Sequence, residues 1–136
     1  MARADTLRIT HQGGEEVVTA EDLARFDQTG FTTSTIWTDG KIAFEGVPLK
    51  VLLDSLGVTR GQVELRALND YAVTLPVAEL EAQAPIIAAR MNGAPMPARR
   101  WGPYWLVYPY DADGIYRSEV TYSRSIWQLV SVTVMD

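Results

Sequence analysis

The sequence predicts a mixed α+β domain, a sheet-rich core with short helices at its margins, and three observations carry that expectation. Stretches rich in β-branched and aromatic residues outnumber stretches with helical periodicity. The helical stretches are short and scattered rather than alternating with strands. Turn signals such as Asn69-Asp70 and Asn92-Gly93 sit between extended runs, as in hairpins.

Taken in order, Leu7 to His11 alternates like a first strand, and Gly13-Gly14 turns it into a second extended piece at Val17-Val18. Thr19 followed by Asp22 forms a capping-box pattern that opens a short helix through Phe26. Phe31 to Thr38, FTTSTIWT, reads as a strand. GVPLKVLLDSLGV is the clearest helix: Pro48 suits its first turn, Leu49, Leu52, Leu53 and Leu56 share a face, and Gly57 ends it. Val63 to Leu68 and Tyr71 to Leu75 read as strands about the Asn69-Asp70 turn, and Val77 to Ala84 as one or two helical turns. Ile86 to Met91 begins a hairpin at Asn92-Gly93. Tyr104 to Tyr108 and Trp127 to Met135 complete the strands.

With 136 residues, 47% of them hydrophobic, the chain suffices for one domain with a real core, so residues 1–136 are read as a single unit. A net charge of −5 argues against a nucleic-acid partner, which needs a basic face. No apolar run is long enough for membrane insertion. The absence of cysteine excludes disulfides, thiolate metal sites and thiol nucleophiles, and the lone His11 cannot form a polyhistidine site. Ala2-Arg3-Ala4 has the small-x-small form of a signal-cleavage site without a preceding apolar region. A mature exported chain with an added initiator Met is the expectation, a short polar start being the alternative.

Catalytic constellations fail one by one. There is no nucleophile elbow to serve a Ser-His-acid triad and no phosphate loop, and Asp111-Ala-Asp-Gly114 is a turn. Three segments remain: Asn69-Asp70-Tyr71; Arg99-Arg100-Trp101-Gly102-Pro103-Tyr104-Trp105; and Ser123 to Leu129, where Arg124 and Trp127 repeat the pairing of guanidinium and indole. Tyr104 and Trp105 must point to opposite faces of a strand. Tryptophan faces, guanidinium donors and a carboxylate together suit a flat, nitrogen-rich ring, for which pterins and guanine are both candidates.

FEGVPLKVLLDSLGV, ALNDYAVTLPVAEL, MNGAPMPARRWGPYWLVYPYD and RSIWQLVSVTV, in that order, resemble the molybdopterin-binding domain of the sulfite-oxidase type, from about Thr32 to the C-terminus. The resemblance implies the sulfite-oxidase-like fold, with a mixed β core and a pterin held between loops. Catalytic members bind molybdenum through a cysteine upstream of the glycine that here is Gly46; the matching stretch contains Ser34 instead, and a hydroxyl is a poor substitute for a thiolate. Molybdenum is therefore not expected. The NDY, GPYW-YPYD and RSIWQL wording is similar to exported pterin-binding proteins that report reduced pterins to a membrane-bound cyclic-di-GMP enzyme. That similarity implies a periplasmic, non-catalytic pterin sensor, exported with its signal peptide absent from this sequence, whose partner is the periplasmic domain of a membrane signalling protein. In it Asn69 and Asp70 read the pterin edge, Arg99 or Arg100 and Arg124 bond its carbonyl side, and Trp101 or Trp127 covers a face. Ser34, Trp37, Tyr71, Tyr104 and Ser125 complete the candidate ligand-binding set. The alternatives are a molybdopterin-dependent oxidoreductase, and a protein-interaction module whose rings spread over a convex surface rather than lining a pocket.

Overall fold

In the computed structural model, which describes residues 6–96 and 100–135, eleven strands form two sheets around one main core. The Ala2-Arg3-Ala4 motif and Arg99 lie outside the described residues. Strands β1 (Leu7–His11), β2 (Gly14–Val18), β5 (Gln62–Ala67), β6 (Ala72–Pro76) and β11 (Leu129–Met135) form the first sheet, ordered β2-β1-β11-β5-β6. Only β1 and β11 pair in parallel there. The second sheet, all antiparallel, runs β10 (Ile126–Trp127), β9 (Trp105–Val107), β7 (Ile86–Met91), β4 (Lys41–Pro48), β3 (Thr29–Ser34), with β8 (Ala94–Pro95) closing the Asn92-Gly93 hairpin onto β7.

The main core lies between the sheets. Leu7, Ile9, Val63, Leu65, Leu129 and Val132 enter it from the first sheet, and Val47, Ile87, Leu106 and Ile126 from the second. Helix α2 (Leu49–Ser55) seals one end with Leu49, Leu52 and Leu53. The second sheet is buried on its other face too, because Ile42, Phe44, Ile86, Ala88, Trp105 and Val107 meet a layer of aromatic rings. Tyr104 and Trp105 diverge as strand geometry requires, Tyr104 into the main core and Trp105 into the aromatic layer.

The capping box at Thr19 is present: Asp22 N–H donates to Thr19 Oγ1 and Thr19 N–H to the Asp22 carboxylate. Helix α1 (Ala20–Ala24) stops two residues short of Phe26. The strand expected over Phe31 to Thr38 ends at Ser34, because Thr35 and Thr38 pair their hydroxyls (2.7 Å) and Trp37 N–H donates to Thr35 Oγ1 (3.1 Å), closing a turn. Val77 to Ala84 holds a single 3₁₀ turn, Val77–Glu79. Strand β4 takes Gly46-Val47-Pro48 out of the expected helix, which begins only at Leu49, and its burial alternates from Lys41 to Phe44.

The strand expected from Trp127 to Met135 is two. Gln128 adopts φ +52°, and the chain crosses there from the second sheet to the first. A bulge between Leu129 and Ser131 then lets both Leu129 and Val132 face the core, which strict alternation forbids. The crossing is pinned by Gln128 N–H to Trp101 O (2.9 Å), Leu68 N–H to Gln128 O (2.9 Å) and Leu129 N–H to Tyr104 O (3.0 Å).

Candidate functional site

A cavity of about 240 Å³ opens beside this crossing, just under the roughly 300 Å³ at which pockets for drug-sized ligands begin. Ala67 and the β5–β6 turn supply one wall, with Asn69 and Tyr71. Ser125, Ile126 and Trp127 supply the second, and Trp37 and Tyr122 the third.

The β5–β6 turn has a fixed shape. Asp70 N–H donates to Ala67 O (3.0 Å), and Ala67 N–H to Tyr71 O (2.8 Å). Asn69 Oδ1 accepts the Tyr71 N–H (3.1 Å), an Asx turn, and Asp70 sits in the left-handed region at φ +71°, which Asn and Asp tolerate. That conformation throws the Asp70 side chain outward, 88% exposed, 4.0 Å from Arg66. Tyr71 Oη donates to Ser123 O (2.7 Å), tying the turn to helix α3 (Glu119–Ser123) across the cavity's edge.

Ser125 forms a buried floor. Its hydroxyl donates to Thr121 O (2.9 Å) and accepts from the Tyr110 hydroxyl. Tyr110 is itself buried, and that burial pushes its phenol well above the ordinary value despite the Ser125 hydrogen bond.

All four tryptophans of the chain join one cluster behind and beside the cavity. Trp101 stacks on Trp105 at 4.6 Å and 18°, and Trp127 meets Trp101 edge-on at 5.1 Å. Trp37 meets Trp105, Trp127, Tyr110 and Tyr122 edge to face, with centroids 5.4 to 6.1 Å apart. Of these rings Trp37, Trp127 and Tyr122, with Tyr71, line a hollow rather than a convex surface.

Of the residues singled out in the sequence, the cavity brings together Trp37, Asn69, Tyr71, Ser125 and Trp127. Asp70 adjoins it with its carboxylate turned away. Trp101 and Tyr104 lie behind, Trp101 supporting Trp127 and Tyr104 in the main core. Arg100 lies over the Trp101 ring at 5.2 Å. Arg124 pairs with Glu79 (2.7 Å), and its charge pulls down the Tyr108 phenol against the effect of burial. Ser34 donates both its N–H (2.8 Å) and its Oγ–H (2.7 Å) to Asp111, whose carboxyl is held below the usual range by those bonds. Ala67, Tyr122 and Ile126 were not singled out. The Tyr122 ring is legible only as an aromatic just ahead of SRSIWQL, and Ala67 and Ile126 give no signal beyond adjacency to Asn69 and Trp127.

The residue types on these walls suit the chemistry of a pterin ring. Indole and phenol rings are among the lining residues, and Asn69 has two amide N–H donors while its Oδ1 keeps a second lone pair, a complement to an aminopyrimidinone edge. For a metal the chain provides no cysteine, and among the described residues no group of three or more His, Asp or Glu that could hold one.

No curated protein matches the chain. Among solved structures, the sulfane dehydrogenase SoxCD of Paracoccus pantotrophus is similar in fold, with a TM-score of 0.74 at 20% identity over 100% of this chain. This chain spans 40% of that one. The model of the oxidoreductase molybdopterin binding domain matches residues 20–112, more than half the sequence. The two-sheet architecture with short helices is the sulfite-oxidase-like fold, and the chain belongs to the oxidoreductase molybdopterin binding domain family.

Proposed function

We propose that the protein binds a pterin-type ligand without catalysing a reaction on it, and that Trp37, Asn69, Tyr71, Ser125 and Trp127 form the binding site. The observation that carries this reading is the aromatic cavity joined to the Asn69 amide, in a family defined by pterin-type cofactors. The absence of a thiolate, and the commitment of Ser34 to Asp111, support binding over redox chemistry. The wider role follows the resemblance of the NDY, GPYW-YPYD and RSIWQL segments. An exported sensor of reduced pterins would act on the periplasmic domain of a membrane cyclic-di-GMP enzyme. Exposed apolar side chains within two positions of lining residues, Ile36, Leu68 and Val120 with Tyr71, give such a partner a surface that ligand occupancy can alter.

Titration calorimetry with reduced pterins on the purified chain tests the site, with micromolar or tighter binding expected. Trp127→Ala and Asn69→Ala should each weaken it at least about tenfold, the loss of a stacking face or of a paired edge. Unchanged affinity in both variants removes the site from consideration. The second reading, a molybdopterin-dependent oxidoreductase, is favoured by the family match and the likeness to SoxCD. Metal analysis of protein from a molybdenum-replete host discriminates: stoichiometric molybdenum overturns the sensor reading.

A further inference from the structure

Among the described residues the two sheets end on four strands, and three of these are blunted against further pairing. β2 carries Glu15 and Glu16, β6 closes on Pro76, and β10 is two residues long. The fourth, β3, reads TGFTTS, with no charge and no proline.

The direction of its main chain follows from β4. Ala43 donates its N–H to Asn92 Oδ1 (2.9 Å) and its carbonyl accepts the Asn92 N–H (2.7 Å), so both its polar groups face the β7 side. Thr32 lies opposite Ala43 and therefore occupies a non-hydrogen-bonded position, with its own N–H and C=O aimed away from β4. Gly30 and Ser34, two residues to either side, point the same way. The Ser34 N–H accordingly reaches Asp111 rather than β4. Gly30 and Thr32 are exposed, and among the described residues nothing pairs with their outward groups.

Free N–H and C=O groups at this spacing are complementary to another extended backbone. An incoming strand would set the residue opposite Phe31 on the Phe31 side of the sheet. A groove of about 510 Å³ extends from Gly30 and Phe31 to Ala84, Pro109, Ala112 and Tyr116, and these mostly apolar walls suit an apolar side chain. The free run is short, because Asp111 already occupies Ser34. Two residues of main chain and one groove fall well below the roughly 800 Å² per partner of a stable interface, which favours a short peptide over a second copy. We infer that β3 is a docking edge for an extended segment of a partner protein, paired through its backbone to Gly30 and Thr32 and anchored by an apolar side chain in the adjoining groove. This edge stands apart from the pterin-binding reading and does not depend on it.

The probe is a lysine-flanked heptapeptide of alternating threonine and leucine, titrated into the full chain and followed by amide hydrogen exchange in NMR. Exchange at Gly30 and Thr32 should slow at least about tenfold on binding. Methylating alternate peptide nitrogens in one phase should weaken binding at least about tenfold, and in the other phase leave it unchanged, since only one set faces β3. Replacing the leucines by alanine should also cost at least about tenfold. Thr32→Pro removes an outward N–H at an edge position that tolerates proline, and should weaken binding with little change in melting temperature. Equal binding of the two methylated peptides to the wild-type chain overturns the docking edge, as does unaltered exchange at Gly30 and Thr32. Sedimentation showing a dimer that Thr32→Pro dissolves overturns it too, by giving the edge to a second copy.

Discussion

Trp37 and Trp127 meet edge to face, centroids 5.4 Å apart and planes at 68°, and each forms a wall of the same cavity although one comes from the β3–β4 loop and the other from the chain crossing. Their neighbour Trp105 is fully buried with no role in the lining. Binding and stability should therefore separate between these positions. Trp105→Ala is expected to cost about 3–5 kcal/mol, as for other large buried rings. Trp127→Ala should cost less stability and abolish most pterin affinity. Urea unfolding beside calorimetry checks this, and equal stability losses would contradict it. Because the four indoles are coupled within one cluster, ligand stacking on Trp127 should also quench much of the intrinsic fluorescence.

The Ser125 floor gives a second expectation. Tyr110→Phe removes the phenol that donates to Ser125 Oγ and leaves that buried oxygen one partner poorer. A loss of about 1 kcal/mol of stability is expected. Pterin binding should weaken only modestly, by about twofold to fivefold, because Ser125 still donates to Thr121 O and the ring walls are untouched. Affinity lost as completely as in Trp127→Ala would show that the floor, not the walls, governs the site.

Much of the architecture is legible in the sequence where local chemistry and tertiary outcome agree. The Thr19-Asp22 capping box, the Leu49-Leu52-Leu53 face of α2 and the Asn92-Gly93 hairpin are each specified within a few residues. What escapes reading depends on distant contacts. Nothing local announces that Gln128 breaks the last strand, since its φ of +52° is held by Trp101 O and the Leu68 N–H. The candidate site shows the same division. Asn69, Tyr71 and Trp127 are recognisable by residue type, but a left-handed turn turned Asp70 away, and Glu79 and Trp101 hold Arg124 and Arg100 outside the lining. Residue type names the chemistry available, whereas backbone angle and competing partners decide where it points.

Gly46 marks a point where two strands admit no side chain. A Cβ there would lie 1.9 Å from Ile87 O and 2.7 Å from Ala88 Cα, both backbone atoms, at the bulge where β4 pairs with β7. Neither strand can yield without breaking pairing in the middle of the second sheet. Gly46→Ala is expected to destabilise by more than about 3 kcal/mol, beyond the ordinary range for a surface substitution. A thermal melt decides it, and a wild-type midpoint would show that the sheet accommodates the methyl group.

Alkaline stability should carry the imprint of Tyr108. Burial raises its phenol to about 12 in the folded state, against the opposing pull of Arg124, while the unfolded chain titrates near 10. Between those values the unfolded state releases a proton that the folded state keeps, so the slope of unfolding free energy with pH is negative. The contribution is fully present below pH 10 and is lost as pH rises toward 12, and two units correspond to about 3 kcal/mol. Tyr116, raised by its hydrogen bond to Glu81, adds in the same direction but is more exposed. Urea midpoints measured from pH 9 to 12 should fall in the wild type and fall less steeply in Tyr108→Phe. Parallel slopes in the two proteins would mean that the Tyr108 hydroxyl titrates as freely folded as unfolded.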